Sequence, residues 1–197
     1  MNEDRILVVR LGAMGDILHA LPAVGNIKKS FPHHRIDWVV APKWMPLLTG
    51  NPIIDQVIPF ERYPLRALLQ SRRALRAIQP DIAVDFQGLI QSALVARSSR
   101  PKQLYGFARG AARESLATFC YSHRVFPRAR HIVDRYKELA AAAGAIVAGP
   151  DVFIPPGEGE GTLPQVPFVL TSPLAGWTSK QWPLENYEKL AQLLARD

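Results

Sequence analysis

A chain of 197 residues with 48% hydrophobic and 21% charged content suits one globular domain, or one domain and part of another. No apolar run approaches the ~20 residues needed to span a bilayer. The acidic start MNEDRILVV lacks the layout of a signal peptide, and a single cysteine, Cys120, excludes an internal disulfide, so a reducing cytoplasm is the expected setting.

The elements alternate along the chain. Ile6–Leu11 is an apolar strand that breaks at Gly12 and Gly15 and presents Asp16. The spacing of Ile17, Leu18, Leu21, Val24 and Ile27 then predicts a helix to Ser30, closed by Phe31-Pro32. A second strand covers 36–40, a short helix and an Asn-Pro turn cover 43–52, and a third strand covers 53–60. Leu65 to Ile78 reads as a helix with Leu65, Leu68, Leu69 and Leu75 on one side and arginines on another. A fourth strand over 82–86 turns through Gln87-Gly88 into another helix, and a short strand covers 102–107. Within SLATFCYSH, Cys120 reads as a small apolar core residue. Residues 130–145 form a further helix with Gly144 as its stop. Such repeated strand–helix units predict an α/β fold, a mostly parallel sheet with helices on both faces. Residues 150–167, rich in proline and glycine, read as a linker. A fresh strand at Phe168–Thr171, a loop, and a helix from Pro183 onward would start a second domain.

Net charge is +7, and it is uneven: between Arg97 and Arg135 basic residues outnumber acidic ones nine to two, so the rest of the chain balances. That excess predicts an anionic partner such as a phosphate, a sugar acid or a membrane surface, unless it is only a solvated face. No nucleic-acid-binding motif accompanies it.

Three strand-end turns carry polar groups. In LGAMGD, Gly12 and Gly15 let a ligand approach the backbone, and Asp16 can cap the helix, accept a proton, or do both. The turn lacks the third glycine of a dinucleotide fingerprint. In the second turn, Asp85 can stabilise the following helix while Gln87 and Gly88 face the crevice of Asp16. The third, Gly176 to Lys180, either suits a phosphate or is a surface loop. His33 and His34 sit in a turn; His19 packs on its helix or lines the crevice; His131 starts a helix or meets an anion. There is no zinc spacing, no G-x-S-x-G and no P-loop, which weighs against hydrolase and nucleoside-triphosphatase chemistry.

The segments VVRLGAMGDILHALPAV, VDFQGLIQSALVAR and SPLAGWTSKQWPLENYEKLAQLL, in that order, resemble the ADP-heptose glycosyltransferases, the heptosyltransferases of lipopolysaccharide inner-core assembly. The MGD-x-LH-x-LPA wording is nearest the heptosyltransferase I branch. The resemblance implies a GT-B glycosyltransferase of two Rossmann-like domains: an acceptor domain over 1–149, a linker over 150–167, and the start of a donor domain over 168–197. The family's second domain extends beyond the point matching Asp197.

By the same resemblance Asp16 is the catalytic base, and its replacement by alanine is expected to collapse turnover with little change in folding. Lys180 meets the donor phosphates, with Gly176, Thr178, Ser179 and Gly15 nearby. Arg113 belongs to the acceptor side, joined by Gln87 and Gly88 and, by location, Arg62 and Arg66. The implied donor is ADP-heptose and the implied acceptor Kdo–lipid A, with no cofactor and no metal. The implied location is the cytoplasm; the Arg66–Arg76 helix and the basic Arg97–Arg135 stretch would make a peripheral contact with the anionic inner membrane, unless Leu65, Leu68, Leu69 and Leu75 pack on the sheet. The alternatives are a non-catalytic module that binds an anionic glycolipid or an inactive remnant lacking the donor domain, and a related glycosyltransferase with another nucleotide-sugar donor.

Overall fold

The computed structural model describes residues 4–61, 65–146, 149, 152–157, 159, 161–162, 164–173 and 178–195. It divides into two compact units, residues 1–156 and 157–197. The first unit is a parallel sheet of six strands: β1 (Arg5–Val9), β2 (Arg35–Val40), β3 (Gln56–Pro59), β4 (Ile82–Asp85), β5 (Gln103–Phe107) and β6 (His123–Val125). Helices α1 (Met14–Ser30), α2 (Leu65–Ile78), α3 (Ile90–Ser98) and α4 (Ile132–Ala142) connect or follow the strands. The strand order is β3-β2-β1-β4-β5-β6, so the winding direction reverses between β1 and β4.

The central strand β1 is apolar on both faces because both faces are covered. Ile6 and Val8 join one core with Ile17, Leu21 and Val24 of α1 and Tyr136 and Leu139 of α4. Leu7 and Val9 join the other with Leu75, Ala93 and Ala96. Burial of these aliphatics, at ~25 cal/mol per Å² of apolar surface, is the main source of stability.

Several boundaries differ from the sequence pattern, each for a local reason. β1 ends at Val9 because the Leu11 N–H leaves the ladder for Gln87 Oε1 (2.8 Å). α1 begins at Met14, before its apolar period, because Ala13 O accepts the Ile17 N–H (3.0 Å). The third strand starts only at Gln56: Asn51 Oδ1 first turns the chain by accepting the Ile53 N–H (3.1 Å). The segment after β2 is a 3₁₀ helix, Pro42–Leu47. On α2, Leu75 is buried but Leu69 is 56% exposed; six residues apart on a helix, they point about 120° away from each other. The side chains of Leu65 and Leu68 lie outside the described residues. α4 stops as predicted: Gly144, at φ +99°, bonds Ala141 O and the next N–H bonds Ala140 O. The 3₁₀ helix Ser115–Cys120 and strand β6 had no periodic signal long enough to be seen. Cys120 packs partly buried against the second core, and burial pushes its thiol above the usual range.

In the second unit, Phe168–Thr171 is not a strand: these residues are exposed and belong to no ladder among the described residues. A strand exists only by its hydrogen-bonded neighbour. The unit contains a short 3₁₀ helix, Thr178–Lys180, and helix α5 (Leu184–Leu194), where Trp182 packs edge-on against Tyr187.

At the N-terminal edge of the sheet, Asp81 ties three strands together. Its Oδ2 accepts the Arg5 N–H (3.0 Å), its Oδ1 meets Lys102 Nζ (2.6 Å), and its backbone carbonyl accepts the Gln103 N–H. The Lys102 contact, opposed by partial burial and aided by the Arg5 N–H, holds this carboxyl below its ordinary value of 3.8. A depressed folded value means the contribution exists above pH 3.8 and is lost as the pH falls. Asp81→Asn is therefore expected to lower the thermal midpoint at pH 7, and the difference from the parent protein should shrink at a pH well below 3.8. Parallel melting curves at the two pH values check this; a difference independent of pH would mean the carboxylate charge is irrelevant.

Candidate functional site

Parallel strands deliver all their following turns to one edge of the sheet, and the reversal between β1 and β4 opens a crevice there. The turn after β1, residues 10–16, and the turn after β4, residues 86–88, lie side by side in it. Gln87, almost wholly buried, helps to join them by accepting the Leu11 N–H. Leu11 O in turn accepts the Ala41 N–H from beyond β2. Gly12 is needed here, since a Cβ would lie 2.8 Å from the indole nitrogen of Trp44. A Cβ on Gly15 would meet nothing within 4 Å, so that residue leaves open space at the start of α1. Leu11, Gly12, Trp44, Lys43, Phe60 and Gln87 border a cleft of about 670 Å³.

Asp16 is the third residue of α1, in the turn where a helix dipole favours negative charge. It does not cap the helix: the N-cap is Ala13, without a side-chain bond. Its Oδ2 instead forms an ion pair with Nη2 of Arg10, and Arg113 Nη1 approaches the same oxygen at 3.9 Å. Arg10 is 1% exposed. Its Nη1 donates to Phe86 O (3.3 Å), its guanidinium lies 5.9 Å from the centre of the Tyr136 ring, and its Nε has no partner among the described residues. Burial pushes the Tyr136 phenol above its ordinary value, with Arg10 pulling it down and Asp16 pushing it up, so the phenol stays neutral. The Asp16 side chain is 36% exposed, and this combination puts an accessible carboxylate on a buried cationic mount.

Arg113 reaches Asp16 because its loop is pinned from two sides. The Glu114 N–H donates to Gly88 O (2.9 Å), and Arg135 Nη2 donates to Ala111 O (2.8 Å). Gly88, at φ +69°, has the neighbouring Arg113 backbone 3.2 Å from where a Cβ would sit. Glu114 Oε2 also accepts the Ile90 N–H (2.6 Å) at the start of α3.

Asp85 has a different task. It is fully buried, and its oxygens accept bonds from the Gln87 and Gly88 N–H groups, Ser92 Oγ and the Tyr121 hydroxyl. Burial pushes its carboxyl above the usual carboxylate range, against the pull of those donors. It organises the turn and the helix and is closed to a ligand.

The first unit thus brings Asp16, Gly15, Gln87, Gly88 and Arg113 to one edge. Arg66 is exposed on α2. Thr178, Ser179 and Lys180 are exposed in the 3₁₀ helix of the second unit, ahead of α5 rather than at its N-terminus. Arg62 and Gly176 lie outside the described residues. His19 is exposed and its ring stands 6.3 Å from that of His131. The basic stretch does not form one face: Lys102 is at the opposite edge of the sheet with Asp81. Arg10, Tyr136 and Trp44 are missing from the sequence-based set; the signal for Arg10 was a charge placed directly after four buried aliphatics. Among the described residues no group of three or more His, Cys, Asp or Glu is placed to hold a metal ion, and no helix is long and apolar enough to cross a membrane.

Comparison with known proteins gives this geometry a context. The model of glycosyltransferase family 9 (heptosyltransferase) matches residues 68–197. Lipopolysaccharide heptosyltransferase 1 of Pseudomonas aeruginosa is 28% identical, over 95% of this chain and 57% of its own length. That of Escherichia coli K12 is 31% identical, over 70% of this chain and 46% of its own. The chain thus spans about half the length of these curated relatives. The structure of E. coli heptosyltransferase WaaC with ADP-2-deoxy-2-fluoro heptose superposes with a TM-score of 0.75 at 26% identity, covering 97% of this chain and 65% of that one.

The Arg10–Asp16 pair makes a stability prediction that differs from the sequence-based one. Asp16→Ala strands a buried guanidinium and should cost about 3 kcal/mol. Arg10→Met removes the buried charge itself and leaves a carboxylate that water can reach, so it should cost about 1–2 kcal/mol. The double variant Arg10→Met/Asp16→Ala should be more stable than Asp16→Ala alone. Urea unfolding followed by circular dichroism measures all three; strictly additive losses would mean the pair is not coupled.

Proposed function

Because the chain belongs to glycosyltransferase family 9, we propose that the protein is an inverting transferase that moves heptose from ADP-heptose to the Kdo–lipid A inner core of lipopolysaccharide. The observation that carries this reading is the Asp16 carboxylate at the sheet's switch point, one oxygen held by Arg10 and the side chain one-third exposed. In the proposed step Asp16 takes the proton of an acceptor hydroxyl as that oxygen attacks the anomeric carbon. The bond from that carbon to the ADP oxygen breaks on the opposite face, and ADP leaves with the electron pair. Asp85 cannot serve as the base, since its oxygens are committed to four internal donors.

Arg113 is 64% exposed on its side chain and only loosely bound to Asp16, so it has donors to spare for an acidic sugar or phosphate of the acceptor. Gly88, its N–H and carbonyl both bonded internally, shapes the acceptor side, and Gln87, its oxygen held by the Leu11 N–H, lines the cleft as an acceptor contact. We assign acceptor binding to residues 1–149, a linker to 150–167 and donor contacts to the residues from 168 on. There Lys180, with Gly176, Thr178 and Ser179, would balance the charge growing on the departing ADP. The heptosyltransferase solved with an ADP-heptose analogue supports the choice of donor. A lipid-linked acceptor would put the reaction at the cytoplasmic face of the inner membrane, and Arg62 and Arg66 are assigned to the acceptor side.

The test is heptose transfer by the full-length protein. Asp16→Asn, which keeps the side-chain volume, should lower turnover about 10²–10⁴-fold, with the unfolding midpoint recorded beside it. Near-normal turnover would end the base assignment. Lys180→Ala should raise KM for ADP-heptose and lower kcat. If a UDP-sugar displaces ADP-heptose at equal concentration, the donor class is wrong.

A further inference from the structure

Helix α3 divides its side chains between two environments. Ser92, Ala93, Val95 and Ala96 are buried. Ile90 and Leu94, four residues apart and so on one face, are 37% and 56% exposed. Beside them runs a groove of about 850 Å³ walled by Phe60, Leu89, Ile90, Leu94 and Val95. Arg72 and Arg97 stand on its border, with Glu114 as its one carboxylate among the described residues. Glu114 is engaged by the Ile90 N–H, and Arg97 donates to Cys120 O at 3.2 Å. Helix α2 adds Arg66, Arg73 and Arg76, all exposed, and contains no acidic residue. Phe60 and Gln91 line both this groove and the cleft at Gly12 and Gln87, so the two share a wall.

We propose that this groove receives an acyl chain of the anionic lipid whose sugar is presented to Asp16. The inference rests on the transferase reading and adds to it a grip on the lipid tail. An apolar floor bordered by guanidiniums matches a molecule with a hydrocarbon chain below an anionic head. The arginine stems extend the apolar surface while their heads meet the phosphates. A second copy of the chain is the poorer fit, since it carries a net charge of +7 and meets this border with like charge. The shared wall continues the groove into the cleft at Gly12 and Gln87, beside the turn that carries Asp16.

The first measurement uses the full-length protein without donor or acceptor. The probe is cis-parinaric acid, an anionic fatty acid that fluoresces in apolar surroundings. Saturable binding is expected, and Leu94→Asp should weaken it at least about tenfold. Leu94 is half-exposed, so the helix content of that variant should match the parent by circular dichroism; Leu94→Met should bind as the parent does. The second measurement is transfer to acylated and O-deacylated acceptors. The parent should favour the acylated acceptor through a lower KM, and Leu94→Asp should abolish that preference. Absence of saturable probe binding, or equal binding by Leu94→Asp, overturns the proposal whatever the transfer assay gives. A parent protein that sediments as a dimer, turning monomeric in Leu94→Asp, would give the groove to a second copy and also overturn it. Probe binding that is sensitive to Leu94, with heptose transferred to no acceptor, would sustain the acyl site and reject the transferase reading.

Discussion

A single buried guanidinium governs this molecule's candidate site. Arg10 follows directly on the apolar strand β1 and cannot reach bulk water, so it must be neutralised and hydrogen-bonded where it stands. Its partners come from three elements: a carbonyl after β4, an aromatic ring on α4 and a carboxylate in the first turn of α1. The pairing sets the path of the turn between strand and helix, and it fixes which way Asp16 points. A carboxylate at this place without that mount would only decorate a helix start. With it, one oxygen is committed and the side chain still meets solvent.

Asp16, Asp85 and Glu114 lie near the crevice, and their surroundings separate their roles. Asp85 is buried among four donors and acts as the internal fastener of a turn. Glu114 closes the N-terminus of α3 from a distant loop and, through its own N–H, holds that loop to Gly88. Asp16 alone combines a fixed position with exposure. The order of the sheet is what makes this division possible, because only at the reversal between β1 and β4 do two turns diverge and leave room for a ligand between them.

Much of this was legible in the sequence. The alternation of strand and helix gave the parallel sheet, and two glycines followed by an aspartate after an apolar run gave the edge where the site lies. What escaped was set by tertiary contact. Arg10 reads as an ordinary surface charge at a strand end until the strand's neighbours bury it. Charge counting joined Lys102 to Arg113, although a strand separates them and places them at opposite ends of the sheet. Leu69 was grouped with Leu75 by composition rather than by angle. Residues 168–171 have the content of a strand, but strand content specifies a strand only beside a partner. A helix carries its hydrogen bonds within itself, and α5 accordingly formed where predicted.

Two tryptophans six residues apart occupy opposite environments. Trp38 is sealed in the core, its indole N–H bonded to Arg10 O (3.2 Å). Trp44 is half-buried at the cleft wall, stacked over Gly12, with Lys43 Nζ 4.7 Å from its ring centre. The emission of Trp38 therefore follows the integrity of the sheet, while that of Trp44 follows the polarity and quenching of the cleft. The protein carries within one short segment both an internal standard and an optical gauge of whatever enters the cleft at Gly12.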